Sequence, residues 1–460
     1  MLFPLLADLV IGNEDWKVFL ICSIFTAFFG GALVLTNASK QFHMNVRQTF
    51  ILTTLSWVVL ALFSSLPFAL SGLNMSMTDS IFEAVSGITT TGSTVITTLE
   101  QTPPGILLWR AILQWLGGIG IIVMALSVLP ILKVGGMQLF KTESSESEKA
   151  LPRARQLATY IGFIYTGLTF ICMAFYMLAG MNGFDASAHA MTTIATGGFS
   201  TFDSSFGEMD SVWIEINAIV FMLMGGLPFI LYVKALRGNW QDLFNDSQVR
   251  VFLSIVAIAI ITMITYLVLQ NNEPFWESLR RASFNVVSVI TGTGYTNGDY
   301  GTWGGFAVIL VFFLMVVGGC AGSTTCGIKV FRFQVLYEVT KTQLKQLIYP
   351  NGVFTPHYNH QALPRGVSSA VMSFFFVYAL SFSLLAIGLS FLGLDFLTAM
   401  SGAVTSISNV GPGLGNIIGP SGSFQPLPDA AKWLMCVGMI LGRLELFTVL
   451  VLFLPHFWRR

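Results

Sequence analysis

Nine stretches of this sequence run long and apolar, near 16–37, 47–72, 106–132, 155–180, 212–236, 250–270, 303–317 (continuing past a Gly-rich break), 366–393 and 430–455. A helix needs roughly 20 such residues to cross ~30 Å of hydrocarbon. A segment in lipid must satisfy its own backbone, so only helices and closed barrels can span. Barrel strands would alternate over ~10 residues, whereas these runs are continuous and rich in phenylalanine (40) and glycine (44). Only 10% of the residues are charged and the mean hydropathy is +0.73, against about 25% charged in a soluble domain. The sequence therefore reads as an all-α polytopic membrane protein. The opening stretch Met1–Ile11 is apolar but too short to span, and it lacks the basic start and cleavage site of a signal peptide.

The net charge is zero, yet the 23 Lys and Arg are unevenly placed. Assigned to the flanks of the nine runs, 17 fall on one side and five (Lys17, Arg110, Arg280, Arg281, Lys432) on the other, with Arg443 inside a run. Basic flanks stay cytoplasmic, which places the C-terminus and the loop Lys141–Arg155 inside and, for nine crossings, the N-terminus outside. The five cysteines (22, 172, 320, 326, 436) match no zinc spacing and read as small apolar residues.

Four short stretches repeat one pattern, a half-length amphipathic segment followed by a Gly/Thr loop: Phe82–Thr94, Ala188–Ser200, Phe284–Thr296 and Thr398–Pro412. In the first three a polar anchor precedes the loop glycine by nine residues: Glu83 to Gly92, His189 to Gly198, Asn285 to Gly294; the fourth counterpart is Gly411. The glycines lie 106, 96 and 117 residues apart, room each time for a span, a re-entrant half-helix with its loop, and a second span. The expected organisation is an N-terminal extra helix region (1–45) and four pore repeats, 46–140, 141–245, 246–350 and 351–460, arranged with pseudo-fourfold symmetry. Irregular backbone is tolerated at membrane depth only when buried in protein or lining a wet cavity. Four such loops meeting on an axis could replace a cation's water shell with carbonyls. A coupled carrier with inverted halves and a membrane enzyme are the rival readings. The four copies are parallel, unlike inverted-repeat carriers, and no HExxH or serine-nucleophile motif is present.

With these loops, the strings LQWLGGIGIIV (113–123), VLPILKVGGMQLF (128–140), GGCAGSTTCGIKV (318–330) and GRLELFTVLVLFLPHFW (442–458) make the chain resemble the Trk/Ktr/HKT superfamily of potassium transporters over nearly its whole length. The resemblance implies potassium as the substrate, no cofactor in this chain, a homodimer in the bacterial cytoplasmic membrane with one pore per protomer, and a cytosolic TrkA-like nucleotide-binding regulatory ring that carries any nucleotide. It gives no role in nucleic-acid binding. The filter candidates are Thr90, Thr91 and Gly92; Thr196, Gly197 and Gly198; Gly292, Thr293 and Gly294; and Asn409, Val410 and Gly411. Glycine at the filter position of every repeat goes with potassium preference in that superfamily. A cation symporter coupled to protons or sodium is the alternative transport mode.

Two further features follow. Four glycines within Gly318–Gly327, at ~1 kcal/mol each, should unwind the helix that starts near Trp303. In the superfamily this segment is an intramembrane gate, which assigns gating to Gly318, Gly319, Gly322, Ser323, Thr324 and Gly327. Ser323 and Thr324 are expected to face pore water or partner groups. Arg443, one turn into an apolar helix, costs at least ~2.5 kcal/mol to insert; it should face a wet cavity, and the resemblance makes it a barrier to cations below the filter. Pairing with carbonyls of a neighbouring helix is the other reading. The chain departs from the superfamily twice: one clear span precedes the first repeat instead of two helices, and Thr325 and Cys326 stand where more glycine is usual.

Overall fold

The computed structural model describes residues 1–37, 45–127, 150–359, 361–364 and 366–459. The string 128–140 and the loop 141–149 therefore lie outside the described residues. Among the described residues, six helices are long and apolar enough to cross a membrane, and two sharply bent helix pairs raise the number to eight. The remaining run, 303–317, is a helix of only 12 residues, Gly305–Val316, after which the chain continues through an unwound segment to Val330–Ile348. The nine-span parity that put the N-terminus outside is thus not met by helix length.

One order of elements occurs four times. A long leading helix (Val46–Leu70, Ala150–Leu178, Ser247–Gln270, Val367–Phe391) is followed by a short helix (Met77–Ile88, Gly183–Ile194, Phe275–Ile290, Phe396–Ser408). An irregular loop and a trailing helix (Pro104–Ser127, Val212–Gly226, Gly305–Val316, Asp429–Arg443) complete each unit. Within a unit the short helix packs between its own leading and trailing helices. Each trailing helix also packs on the short helix of the next unit, and the fourth returns to the first, so the packing closes into a cycle.

Local chemistry starts and stops the short helices. Ser76, Asn182 and Asp395 accept the N–H groups of Asp79, Asp185 and Thr398, the usual N-cap bond worth ~1 kcal/mol, and the third helix follows Pro274. Each helix stops where the chain turns left-handed, at Thr90, Thr196, Gly292 or Asn409. Leucine, isoleucine and phenylalanine cover the outside of the long helices, as at Phe28, Phe163, Leu178 and Phe376, all more than 60% exposed. That surface is built for lipid.

Two helices, not one, precede the first unit. Leu2–Ile11 packs against both Trp16–Thr36 and Pro104–Ser127. Its Asp8 is buried and accepts the Gly105 N–H at 2.7 Å, a tie that hydropathy alone does not reveal.

Candidate ion pathway

The four loops share one backbone signature. Positive φ occurs at the first and third residue of each: Thr90 and Gly92, Thr196 and Gly198, Gly292 and Gly294, Asn409 and Gly411, with values between 49° and 113°. Such alternation turns successive peptide planes opposite ways. For threonine the left-handed region is a genuine outlier, costing of order 1–3 kcal/mol unless its surroundings enforce it. The enforcement is visible. Thr196 donates to Thr324 Oγ1 at 3.0 Å, and Asn409 donates to Thr91 Oγ1 at 2.8 Å and to the Met439 carbonyl at 3.0 Å. The fourth loop, the poorest match by sequence, reaches the same geometry because asparagine tolerates this conformation.

The loops also close a ring. A side chain added at Gly92 would collide with the Gly197 carbonyl, at Gly198 with that of Thr293, at Gly294 with that of Val410, and at Gly411 with that of Thr91. The contact therefore passes from unit one to two, three, four and back to one. Only glycine combines this φ with this approach. All twelve filter candidates thus lie in one ring, onto which the C-terminal, partially negative ends of the four short helices converge.

The polar anchors brace the ring from behind. Glu83 accepts from Val95 N at 2.9 Å. His189 Nε2 lies 3.1 Å from Ser200 Oγ, Asn285 donates to Asn297 Oδ1 at 2.6 Å, and Ser401 accepts from Leu414 N at 2.9 Å. Tyr295 joins units three and two, its hydroxyl 2.5 Å from Thr192 Oγ1.

Below the ring the units differ. Val317–Lys329 is unwound as the glycines required, and residues 318–326 are buried or nearly so. It fits into a bend of unit two, where Val212–Gly226 and Phe229–Leu236 meet at 93°. Cys320 N and Thr324 N donate to the carbonyls of Gly226 and Gly225 at 3.0 and 3.2 Å, and Phe229 N donates to Gly322 O at 2.9 Å. Backbone groups freed by one broken helix are satisfied by the other. Ser323 and Thr324 bond to partner groups, one of the two expectations: Ser323 donates to Cys320 O at 2.6 Å, and Thr324 to Gly225 O at 3.0 Å.

Arg443 is the last residue of Asp429–Arg443, at a 107° break rather than inside a helix. It is 1% exposed: it donates to Thr324 O at 3.1 Å and Gly117 O at 2.8 Å, and lies 2.7 Å from Cys326 Sγ. It therefore ties the unwound segment of unit three to the trailing helix of unit one. Glu445, two residues on with φ 63°, pairs with Arg332 at 2.5 Å. Lys329, Arg332, Arg110 and Lys432, counted as flanking charges in the sequence, are all buried. Two residues that pattern reading passed over are Arg110 and Gln114. Their signal was present: two polar residues one helical turn apart inside an apolar run.

A closed ring of backbone loops, held by broken helices beside a buried arginine and surrounded by helices long and apolar enough to cross a membrane, defines a membrane protein of the cation-transport class. The family model described as a cation transport protein, TrkH, matches residues 16–460. Among similar proteins, the Trk system potassium uptake protein TrkI of Halomonas elongata is 50% identical over 90% of this chain and 84% of its own length. TrkH of the same organism is 39% identical over 100% of this chain and 96% of its own. The crystal structure of the potassium transporter TrkH from Vibrio parahaemolyticus superimposes with a TM-score of 0.92 at 36% identity, covering 100% of this chain and 96% of that one. The chain belongs to the TrkH family of Trk-system potassium transporters.

Proposed function

We propose that this protein takes up potassium across the bacterial cytoplasmic membrane through the ring of four loops, which acts as its selectivity filter. The observation that carries the reading is the fourfold recurrence of positive φ at the first and third loop residues, with each glycine packed on the next loop's carbonyl. The ring offers carbonyl and hydroxyl oxygens without a net charge, since Glu83 behind it is neutralised by Arg110 at 2.8 Å. Neutral oxygens at fixed spacing select an ion by size and hydration rather than by charge alone.

Gating is assigned to Gly318, Gly319, Gly322, Ser323, Thr324 and Gly327 with Arg443. Arg443 supports that role in two ways: its charge opposes cations, and its bonds to Thr324 and Gly117 hold the segment in place. The functional unit on this reading is a homodimer with a cytosolic nucleotide-binding ring docked on the inner face, where the C-terminus lies.

The test is potassium and sodium flux in liposomes containing the purified protein and its Gly92→Ser variant. A side chain at Gly92 forces loops one and two apart at the Gly197 carbonyl, so the potassium-to-sodium ratio should fall by about tenfold, ~1.4 kcal/mol of discrimination. An unchanged ratio would count against the ring as the filter. Flux that appears only under a proton or sodium gradient would make the protein a coupled symporter with the same pathway.

A further inference from the structure

The four braces behind the ring are chemically unequal. Units two, three and four use an imidazole, an amide and a hydroxyl, whereas unit one uses a buried ion pair. Glu83 and Arg110 are 0% and 1% exposed, and no other ion pair among the described residues is buried so completely on both sides. Arg110 does more than neutralise Glu83. Its Nε donates to Glu83 Oε1 at 2.8 Å, its Nη1 donates to the Ser200 carbonyl of loop two at 2.8 Å, and its guanidinium lies 4.1 Å from the centre of the Phe199 ring. One helical turn on, and so on the same face, Gln114 donates to the filter carbonyl of Gly197 at 2.6 Å and accepts the Phe199 N–H at 3.0 Å. Glu83 meanwhile holds the outgoing limb of loop one through Val95 N and Thr94 Oγ1, at 2.9 and 3.0 Å.

We infer that Glu83, Arg110 and Gln114 are positioning residues for ion selection: one face of the first trailing helix fixes the spacing of loop one against loop two. The inference rests on the filter reading above and deepens it. Gly197 O is the carbonyl that a side chain at Gly92 would strike, so Gln114 grips the ring at the contact between the two loops. A backbone carbonyl held by a buried side-chain donor cannot relax toward a smaller ion without losing that bond. The ion pair adds a second constraint: with Arg110 in place, Glu83 presents no net charge to a passing cation, and selection stays with the oxygen spacing.

The experiment measures potassium and sodium flux in the same liposomes for the full chain, Gln114→Leu, Glu83→Gln and Gly92→Ser, with thermal stability recorded for each. Gln114→Leu deletes the grip on Gly197, and the potassium-to-sodium ratio should fall about fivefold, the equivalent of one net hydrogen bond. Glu83→Gln retains an acceptor for Val95 N but leaves Arg110 unbalanced; the ratio should fall less and total cation flux should drop. A purely structural role would lower both fluxes together and leave their ratio alone. Should Gln114→Leu fail to assemble, the isosteric Gln114→Glu keeps the acceptor for Phe199 N and replaces the donor with a carboxylate that repels the Gly197 carbonyl, and its ratio should fall at least as far. If the Gln114 and Glu83 variants keep the parental ratio while Gly92→Ser changes it, the positioning role is wrong and the filter reading stands. If Gly92→Ser also keeps the ratio, the filter reading fails and this inference fails with it.

Discussion

The ring and the layer beneath it are built from the same four units by opposite rules. In the ring every unit repeats the same pair of positive-φ residues and the same glycine-on-carbonyl contact. Below it no two trailing helices continue alike. Pro104–Ser127 is continuous, the second bends at 93°, the third unwinds from Val317 to Lys329, and the fourth breaks at 107° through Glu445 and Leu446, both at positive φ. The difference teaches that coordination and switching make separate demands. Holding an ion requires equivalent oxygens at equal spacing, hence symmetry. Opening and closing, on the gating proposed above, requires one element able to move against the others, and among the described trailing helices only that of unit three unwinds over a dozen residues. Its hydrogen bonds run to unit two, and Arg443 bonds it from unit four.

The largest effect should come from breaking the ring. A methyl group at Gly198 meets the Thr293 carbonyl at φ 78°, a backbone collision that no rotamer relieves, so Gly198→Ala should abolish potassium flux while the protein still assembles. Gly92→Ser, whose added Cβ would press on the Gly197 carbonyl less closely than one at Gly198 presses on that of Thr293, should alter selectivity before it alters assembly. In the lower layer the expected sign reverses. Arg443→Ala removes both the charge and the ties to Thr324 and Gly117, and potassium flux should rise, by about tenfold for ~1.4 kcal/mol of barrier removed. A fall in flux with intact stability would mean that the arginine supports conduction instead of opposing it.

The smallest effect belongs outside both layers. Asp395 caps the fourth short helix, and its carboxylate is held below its ordinary value of 3.8, first by the Thr398 hydroxyl bond. A group depressed on folding contributes fully above its unfolded value and loses that contribution as pH falls through the folded one. The cap should therefore weaken only below about pH 4. Asp395→Ala should cost ~1 kcal/mol near neutral pH, seen as a small fall in unfolding temperature with selectivity unchanged.

Much of this was legible beforehand. The span positions follow from apolar length, the break after Val316 from four glycines in ten residues, and the loop positions from recurring Gly/Thr strings, because each is a local preference written in consecutive residues. Charge placement is less legible. Arg110, Lys329, Arg332 and Lys432 look like flanks when only sequence distance is known, yet all are buried, Arg110, Arg332 and Lys432 against partners far along the chain and Lys329 on Thr325 four residues back. Hydropathy continues past Arg443 and predicts unbroken helix there, whereas the backbone breaks.

The sequence by itself determined the solvent, the helices, the four loops and the residues able to adopt their backbone. All of these depend on side-chain length, polarity and φ preference within a few positions. Tertiary structure alone decided which loop touches which, that the glycine contacts run once around and close, and that Arg110, Gln114 and Arg443 bridge different units. A hydrogen bond or an ion pair depends on distances of about 3 Å, and residues a hundred positions apart acquire such distances only when the chain has folded.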